Sequence, residues 1–394
     1  PADARTVSGT LGAMRVLMLV WTPVSTDTRV LREATSLVAA GHTVHIIGRA
    51  VPEDYTPPPG ITVDSVGRPP LSTGRTRALS TPERLARWAL LPNHVDRRIA
   101  GWQAQVRGLL AGERAADVVH AHDFTALPVG AEIAARWGVP LVYDSHELWS
   151  GRPVEGRPAP LRARRDRRRE GQLGSQASAV ITVGDGVARA LRAAYGWDRV
   201  HVVRNSFPRR PDLPPPPAAP QRLVYAGRLA AYRELEVVAE ASRRVTLPIT
   251  AVGPADQEWL SAFEPGRVEV LPPEGLPAVD ERLLAAGAAL VTHSDRWPNH
   301  RLALPNKLFH AVSLGVPVVA TDVGELGAIV REHGLGTLYR PGDAESLVRA
   351  TKELQDRYAE LVAAVAAAQQ TLSWDRDEAE LIELYRSLGA TAAV

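Results

Sequence analysis

Short apolar runs recur along this chain with longer amphipathic stretches between them, and that rhythm limits the fold more than any single residue does. RVLMLVW (15–21), TVHIIG (43–48), ADVVHAHD (116–123), VPLVYDSHE (139–147), SAVITVG (178–184) and VHVVRN (200–205) all read as strands. Arg29–Ala40 has helical spacing and is stopped by Gly41. Runs this apolar suit a parallel sheet covered by helices on both faces, because neither side of such a strand meets water. The run PRRPDLPPPPAAP (208–220) breaks the rhythm. Proline at this density continues neither a helix nor a central strand, so the segment reads as a semi-rigid linker. The rhythm then restarts with RLVYAGR (222–228), LPITAVG (247–253), RVEVLPP (267–273), AALVTH (288–293) and VPVVATDVG (316–324). Residues 343–390 read as helical, with Asp343 as N-cap. The expectation is therefore α/β: two doubly wound, Rossmann-like parallel-sheet domains facing a cleft. A flexible tail covers 1–13, the first domain 14–207, the linker 208–220 and the second domain 221–373.

Composition removes several function classes. The 46 Lys+Arg nearly cancel the 44 Asp+Glu, leaving a formal charge of +2, which argues against a partner such as nucleic acid. Cysteine is absent, so disulfides, thiolate nucleophiles and Cys-ligated metal centres are excluded. Residues 1–13 lack the apolar heart of a secretory signal, and no apolar run approaches the roughly 20 residues that span a bilayer. The expected location is cytoplasmic. RARRDRRRE (162–170) reads either as an exposed helix face or as a surface attracted to anionic lipid, giving weak contact through Arg162–Arg169 at the inner membrane face.

Motifs for other chemistries fail. Gly184-Asp185-Gly186 does not continue as a dinucleotide fingerprint, and neither Lys307 nor Lys352 sits in a Walker A sequence. Asp375-Arg376-Asp377 opens a helix after Trp374 instead of ending a strand, so it reads as a cap and no metal is expected.

Polar residues at strand ends survive as candidates. Arg228 ends the first strand of the second half and Arg233 follows about a turn and a half later. Two guanidiniums with a helix N-terminus would suit a diphosphate, although on these residues alone two solvated arginines in an Arg-rich chain are the simpler reading. Lys307 and His310 share a helix face after Pro305 and Asn306, placing a cation and an imidazole near that helix start. His120 and His122 share one side of a strand; His122, nearer its end, could contact a sugar or accept a proton, while His120 reads as interior. Asp144, His146 and Glu147 end the next strand, where they could orient or deprotonate an acceptor, or cap a helix. Asp27 and Arg29 open the first helix, after the first strand and toward the cleft, where Arg29 reads either as an anion ligand or as a helix-surface residue.

Taken together, Gly41-His42-Thr43-Val44, VVHAHD, LVYDSHE, AGRLAAYR and LPNKLFHAVSLGVPVVATDVGE resemble the retaining GT-B glycosyltransferases of family four, from Arg15 to about Leu388. The resemblance implies a nucleotide-diphosphate sugar in the second domain, an acceptor in the first, and a final helix (374–390) returning to the first domain. Arg228, Arg233 and Lys307 would hold the diphosphate, with His310 and Asn306 toward ribose and sugar. His122 and Asp144 would serve catalysis, and Asp27, Arg29, His146 and Glu147 the acceptor side. Two departures stand out: the family's E-x7-E pair falls on Leu302 and His310, and TPVSTDTR replaces the usual glycine-rich stretch after the first strand. The expected activity is metal-independent sugar transfer, with retention, to a small-molecule, glycan or lipid-linked hydroxyl, using no cofactor beyond the donor. The alternatives are a nucleotide-sugar 2-epimerase-like isomerase and a non-catalytic nucleotide-binding subunit.

Overall fold

Each half of the chain builds its own parallel sheet, of seven strands in the first and six in the second. The computed structural model describes residues 12–67, 81–112, 114–152 and 160–392. Most of the expected tail, 1–11, lies outside them. Two units emerge from the packing. One runs to Thr182 and adds Leu191–Val203 and the chain from Glu378 onward; the other comprises Val183–Ala190 and Arg204–Asp377.

The first unit holds β1 (Arg15–Leu19), β2 (Thr43–Arg49), β3 (Ile61–Val66), β4 (Val118–His122), β5 (Leu141–Ser145), β6 (Ala179–Thr182) and β7 (Val200–Val202). They pair in parallel in the order β3-β2-β1-β4-β5-β6-β7. Every residue of β4, β5 and β6 is buried, which is why these strands read as unbroken apolar runs. The edge strand β3 exposes Thr62, Asp64 and Ser65 to varying degrees and so escapes an apolar-run reading. The helix Thr28–Ala39 starts where Asp27 accepts from the Val30 amide at 3.2 Å. It ends just before Gly41, whose φ of +94° suits glycine. His42 then accepts from the Met14 amide at 3.2 Å, fixing the entry to β1.

The second unit repeats the plan with β8 (Arg222–Ala226), β9 (Ile249–Val252), β10 (Val268–Leu271), β11 (Gly287–Val291), β12 (Val318–Thr321) and β13 (Gly336–Tyr339). The order is β10-β9-β8-β11-β12-β13, again all parallel. Alternate residues of one strand feed opposite cores: Leu223 and Tyr225 one, Val224 the other. Residues 208–220 carry no helix or strand, and Leu213 packs against the second of these cores. Asp343 caps the helix Ala344–Asp356 by accepting from the Ser346 amide.

In each unit the strand order reverses beside the central strand, between β1 and β4 in one and between β8 and β11 in the other. Parallel sheets of this kind bind ligands outside the carboxyl ends at such a reversal, because the connections diverge there and leave a crevice.

Candidate active site

In the first unit, β4, β5 and the first helix deliver a fully buried polar cluster to that reversal. Asp144 ends β5, and its carboxylate accepts from Arg29 twice, at 2.8 and 2.9 Å. It also accepts from His122 Nδ1 at 3.1 Å and from His146 Nε2 at 2.9 Å. Burial alone would raise the Asp144 carboxyl, but Arg29 and His146 outweigh it and hold it well below the usual range. Burial likewise opposes a charged His146, yet Asp123 at 3.3 Å and Asp144 raise it well above an ordinary histidine. Asp144 is thus an anchored anion that fixes its histidines, with no free lone pair aimed at solvent.

Arg29 is buried too. It also donates to the Val203 carbonyl at 2.8 Å and lies in an ion pair with the Glu33 carboxylate at 3.0 Å, whose two oxygens are buried without a hydrogen-bond partner. Glu33 itself is driven upward by burial, against the pull of Arg29. His120 stacks on His122 with ring centres 4.2 Å apart and shares a 2.8 Å hydrogen bond with the Tyr385 hydroxyl. Because Asp144 can only accept, His122 donates from Nδ1, and its Nε2 is buried without a hydrogen-bond partner. Glu33, His120, His122 and Asp144 offer ligand atoms within 4.8 Å of one another, a spacing that could hold a metal. The Arg29 guanidinium, clamped on Asp144 and beside Glu33, already supplies the cation there. Asp27 is occupied as a helix cap and also accepts from Thr22 at 2.5 Å. Glu147 pairs with Arg152 at 3.2 Å.

In the second unit, the turn after β8 and the loop after β11 bring Arg233 and Lys307 together. Lys307 Nζ lies 3.9 Å from the centre of the Tyr225 ring and donates to the Thr292 carbonyl at 3.5 Å. Its aliphatic end lies against Gly227, where an added Cβ would sit 3.8 Å from the lysine Cε. Arg233 sits between two residues in the left-handed region, Tyr232 at φ +66° and Glu234 at +58°. Such conformations each cost about 1–2 kcal/mol outside glycine and persist only when neighbours enforce them. Here the Ser294 amide donates to the Tyr232 carbonyl, the Thr292 hydroxyl to the Arg233 carbonyl and the Gly342 amide to Glu234. Burial, then Arg233, push the Lys307 ammonium well below its ordinary pKa. His293, buried just past the end of β11, falls to about 3 through burial, then through His300, Arg233 and Lys307, and stays neutral. Among the described residues no carboxylate pairs with Arg228, Arg233 or Lys307. Arg228 is exposed, and its carbonyl accepts from the Tyr225 hydroxyl at 2.8 Å.

His310 turns inward from the helix Asn306–Ser313. It bonds Asp280, which also pairs with Arg210, and stacks on Phe207 at 4.8 Å. Asn306 is exposed and Leu302 half-buried at the end of the short helix Pro298–Leu302.

Sequence reasoning passed over Glu33, Tyr385, Tyr225, Thr292 and His293. Two carried a usable signal: Glu33 lies four residues after Arg29 on one helix face, and His293 ends an apolar strand. Tyr385 comes from the last helix, more than 260 residues from His120 by separation (265), and no local pattern pairs them.

Two family models match this chain: a glycosyl transferase 4-like domain over residues 26–206 and glycosyl transferases group 1 over residues 220–357. A D-inositol 3-phosphate glycosyltransferase of Geodermatophilus obscurus is 26% identical, covering 90% of this chain and 83% of its own. A glycogen synthase of Mycobacterium tuberculosis is 26% identical over 92% of this chain and 91% of its own. Among solved structures, sucrose-phosphate synthase of Thermosynechococcus elongatus shares the fold, with a TM-score of 0.69 at 17% identity over 96% of this chain and all (100%) of its own. Anabaena HepE, solved with UDP, reaches 0.66 at 16% identity over 95% of this chain and 100% of its own. The chain belongs to the GT-B glycosyltransferases of the family-four type, and it is accordingly a sugar transferase.

Proposed function

We propose that the protein moves a sugar from a nucleoside-diphosphate donor to a hydroxyl acceptor, keeping the anomeric configuration and needing no metal. The observation that carries this reading is the pair Arg233 and Lys307. Two like charges are held together by a strained loop, with the lysine's pKa lowered first by burial and then by the arginine, and no carboxylate among the described residues offsets them. Such an arrangement is costly for the free protein and is relieved by an anion of high charge density, such as a pyrophosphate. The UDP and UDP-glucose bound by HepE support the same donor class.

In this reading the diphosphate departs while Arg228, Arg233 and Lys307 stabilise its growing charge, the role a divalent metal plays elsewhere. The acceptor attacks the face the diphosphate leaves, and a departing phosphate oxygen takes the acceptor proton. In the first unit, Asp144 acts through His122, which it holds in a single tautomer, while His146 and Glu147 lie toward the acceptor. His310, engaged by Asp280, and Leu302 leave the ribose and the sugar without the usual pair of carboxylates, which favours an unusual or deoxygenated donor sugar.

Thermal-shift screening with UDP, GDP, ADP and dTDP sugars identifies the donor, followed by turnover assays with Arg228→Ala. Because Arg228 is exposed, the variant should unfold like the parent yet lose nearly all turnover. Near-normal turnover removes the phosphate site. Epimer formation from donor alone would turn the assignment toward an isomerase.

A further inference from the structure

The helix Pro160–Gly174 carries six arginines between Arg162 and Arg169, and the structure divides them into two groups. The helix's acids face inward. Asp166 accepts from Trp149 Nε1 at 3.1 Å, and Glu170 accepts from the hydroxyls of Tyr143 and Tyr195 at 2.6 and 2.7 Å. Arg162 and Arg165 lie at the flank and are paired with Asp96 at 2.9 and 2.8 Å. Arg164, Arg167, Arg168 and Arg169 are exposed, and among the described residues none has an ion-pair partner. Surface arginines elsewhere on the protein are commonly paired, as with Arg107 and Glu132, Arg340 and Asp343, or Arg386 and Glu383. The outward face of this helix therefore keeps a concentrated, uncompensated positive charge on a chain whose total is only +2.

One turn before Arg164 and two before Arg168, on the same face, stands Leu161, which is 85% exposed. Among the described residues it is more exposed than the other exposed large apolar residues, Leu109 at 50% and Leu276 at 54%, and a nucleic-acid surface would call for stacking aromatics or a large overall basic excess. An apolar anchor among arginines suits the boundary between headgroups and acyl chains of an anionic bilayer. No helix among the described residues is long and apolar enough to cross a membrane, so such contact would be peripheral.

We propose that the outward face of Pro160–Gly174, formed by Leu161, Arg164, Arg167 and Arg168, docks the protein on an anionic lipid surface. This inference is independent of the transfer reaction. The test is co-sedimentation of the full chain with phosphatidylcholine vesicles, with and without phosphatidylglycerol, at low and high salt. The parent should bind only the anionic vesicles, and less at high salt. R164Q/R167Q/R168Q should bind on the order of a hundred-fold more weakly, about five-fold per arginine removed. Leu161→Ser should weaken binding several-fold, with less salt dependence in what is lost. R243Q/R267Q/R349Q, which removes the same charge from exposed positions of the other unit, should bind like the parent. Equal binding by the two triple variants, equal binding to neutral vesicles, or no binding of the parent at low salt overturns the proposal. Unchanged circular dichroism and donor turnover in the variants separate loss of docking from loss of fold.

Discussion

Lys307 sits half-buried against the Tyr225 ring with Arg233 as its charged neighbour, and both burial and that neighbour lower its pKa. A side chain kept in this way costs the free protein stability and returns it when an anion binds. Lys307→Met fills similar volume without the charge and can rest its thioether on the tyrosine ring. It should leave the urea midpoint unchanged or raise it, while weakening nucleotide binding roughly 10- to 100-fold, the loss of one charge-assisted contact of about 1.5–3 kcal/mol. Calorimetric titration beside equilibrium unfolding checks both. The sign with pH follows from the depressed value: the ammonium that meets the phosphate is lost earlier than in a free lysine. Affinity should therefore fall as pH rises through the depressed pKa, and Lys307→Arg, charged throughout, should flatten that fall. Sequence reasoning could place Lys307 on a helix near Arg228 and Arg233 in kind. It could not see that Lys307 lies against Gly227 and Tyr225, because those contacts join segments some eighty residues apart (307 against 225 and 227).

At the scale of elements, the turns after β8 and β9 meet backbone to backbone. Gly253 has φ +147°, and a Cβ there would lie 2.1 Å from the Gly227 carbonyl oxygen. A methyl group cannot share that space, and the obstacle is main chain, so one turn must move. Gly253→Ala should lower stability by about 2–3 kcal/mol, in the range of strained or overpacked positions, and reduce nucleotide affinity with it, since Gly227 leads directly into Arg228. Chemical denaturation and titration of the same preparation test this. The strands themselves were legible: central runs such as β4 and β5 are apolar throughout because both faces are covered. The edge strand β3 was not, because half of it faces outward and carries Thr, Asp and Ser.

For the whole molecule, two units with separate cores are expected to unfold with some independence. Scanning calorimetry should resolve two transitions. Saturating nucleotide should raise only the one belonging to the unit with Arg233 and Lys307, by about 2.7 kcal/mol at a hundred times Kd. A shift of the other transition alone would place the nucleotide in the wrong half.

The linear order of residues determined the fold class, the duplication of the α/β plan and the strand ends where polar side chains gather. These follow from local periodicity and from proline and glycine, which act on their immediate neighbours. Only the tertiary structure decided what those side chains do. Arg29, readable as an anion ligand or a surface residue, is consumed by Asp144; His310 is turned to Asp280; Arg233 is pinned beside Lys307 by hydrogen bonds from distant loops. Charge balance in a buried site depends on which groups lie within a few ångströms, and that distance is set by the closing of the sheet, not by spacing along the chain.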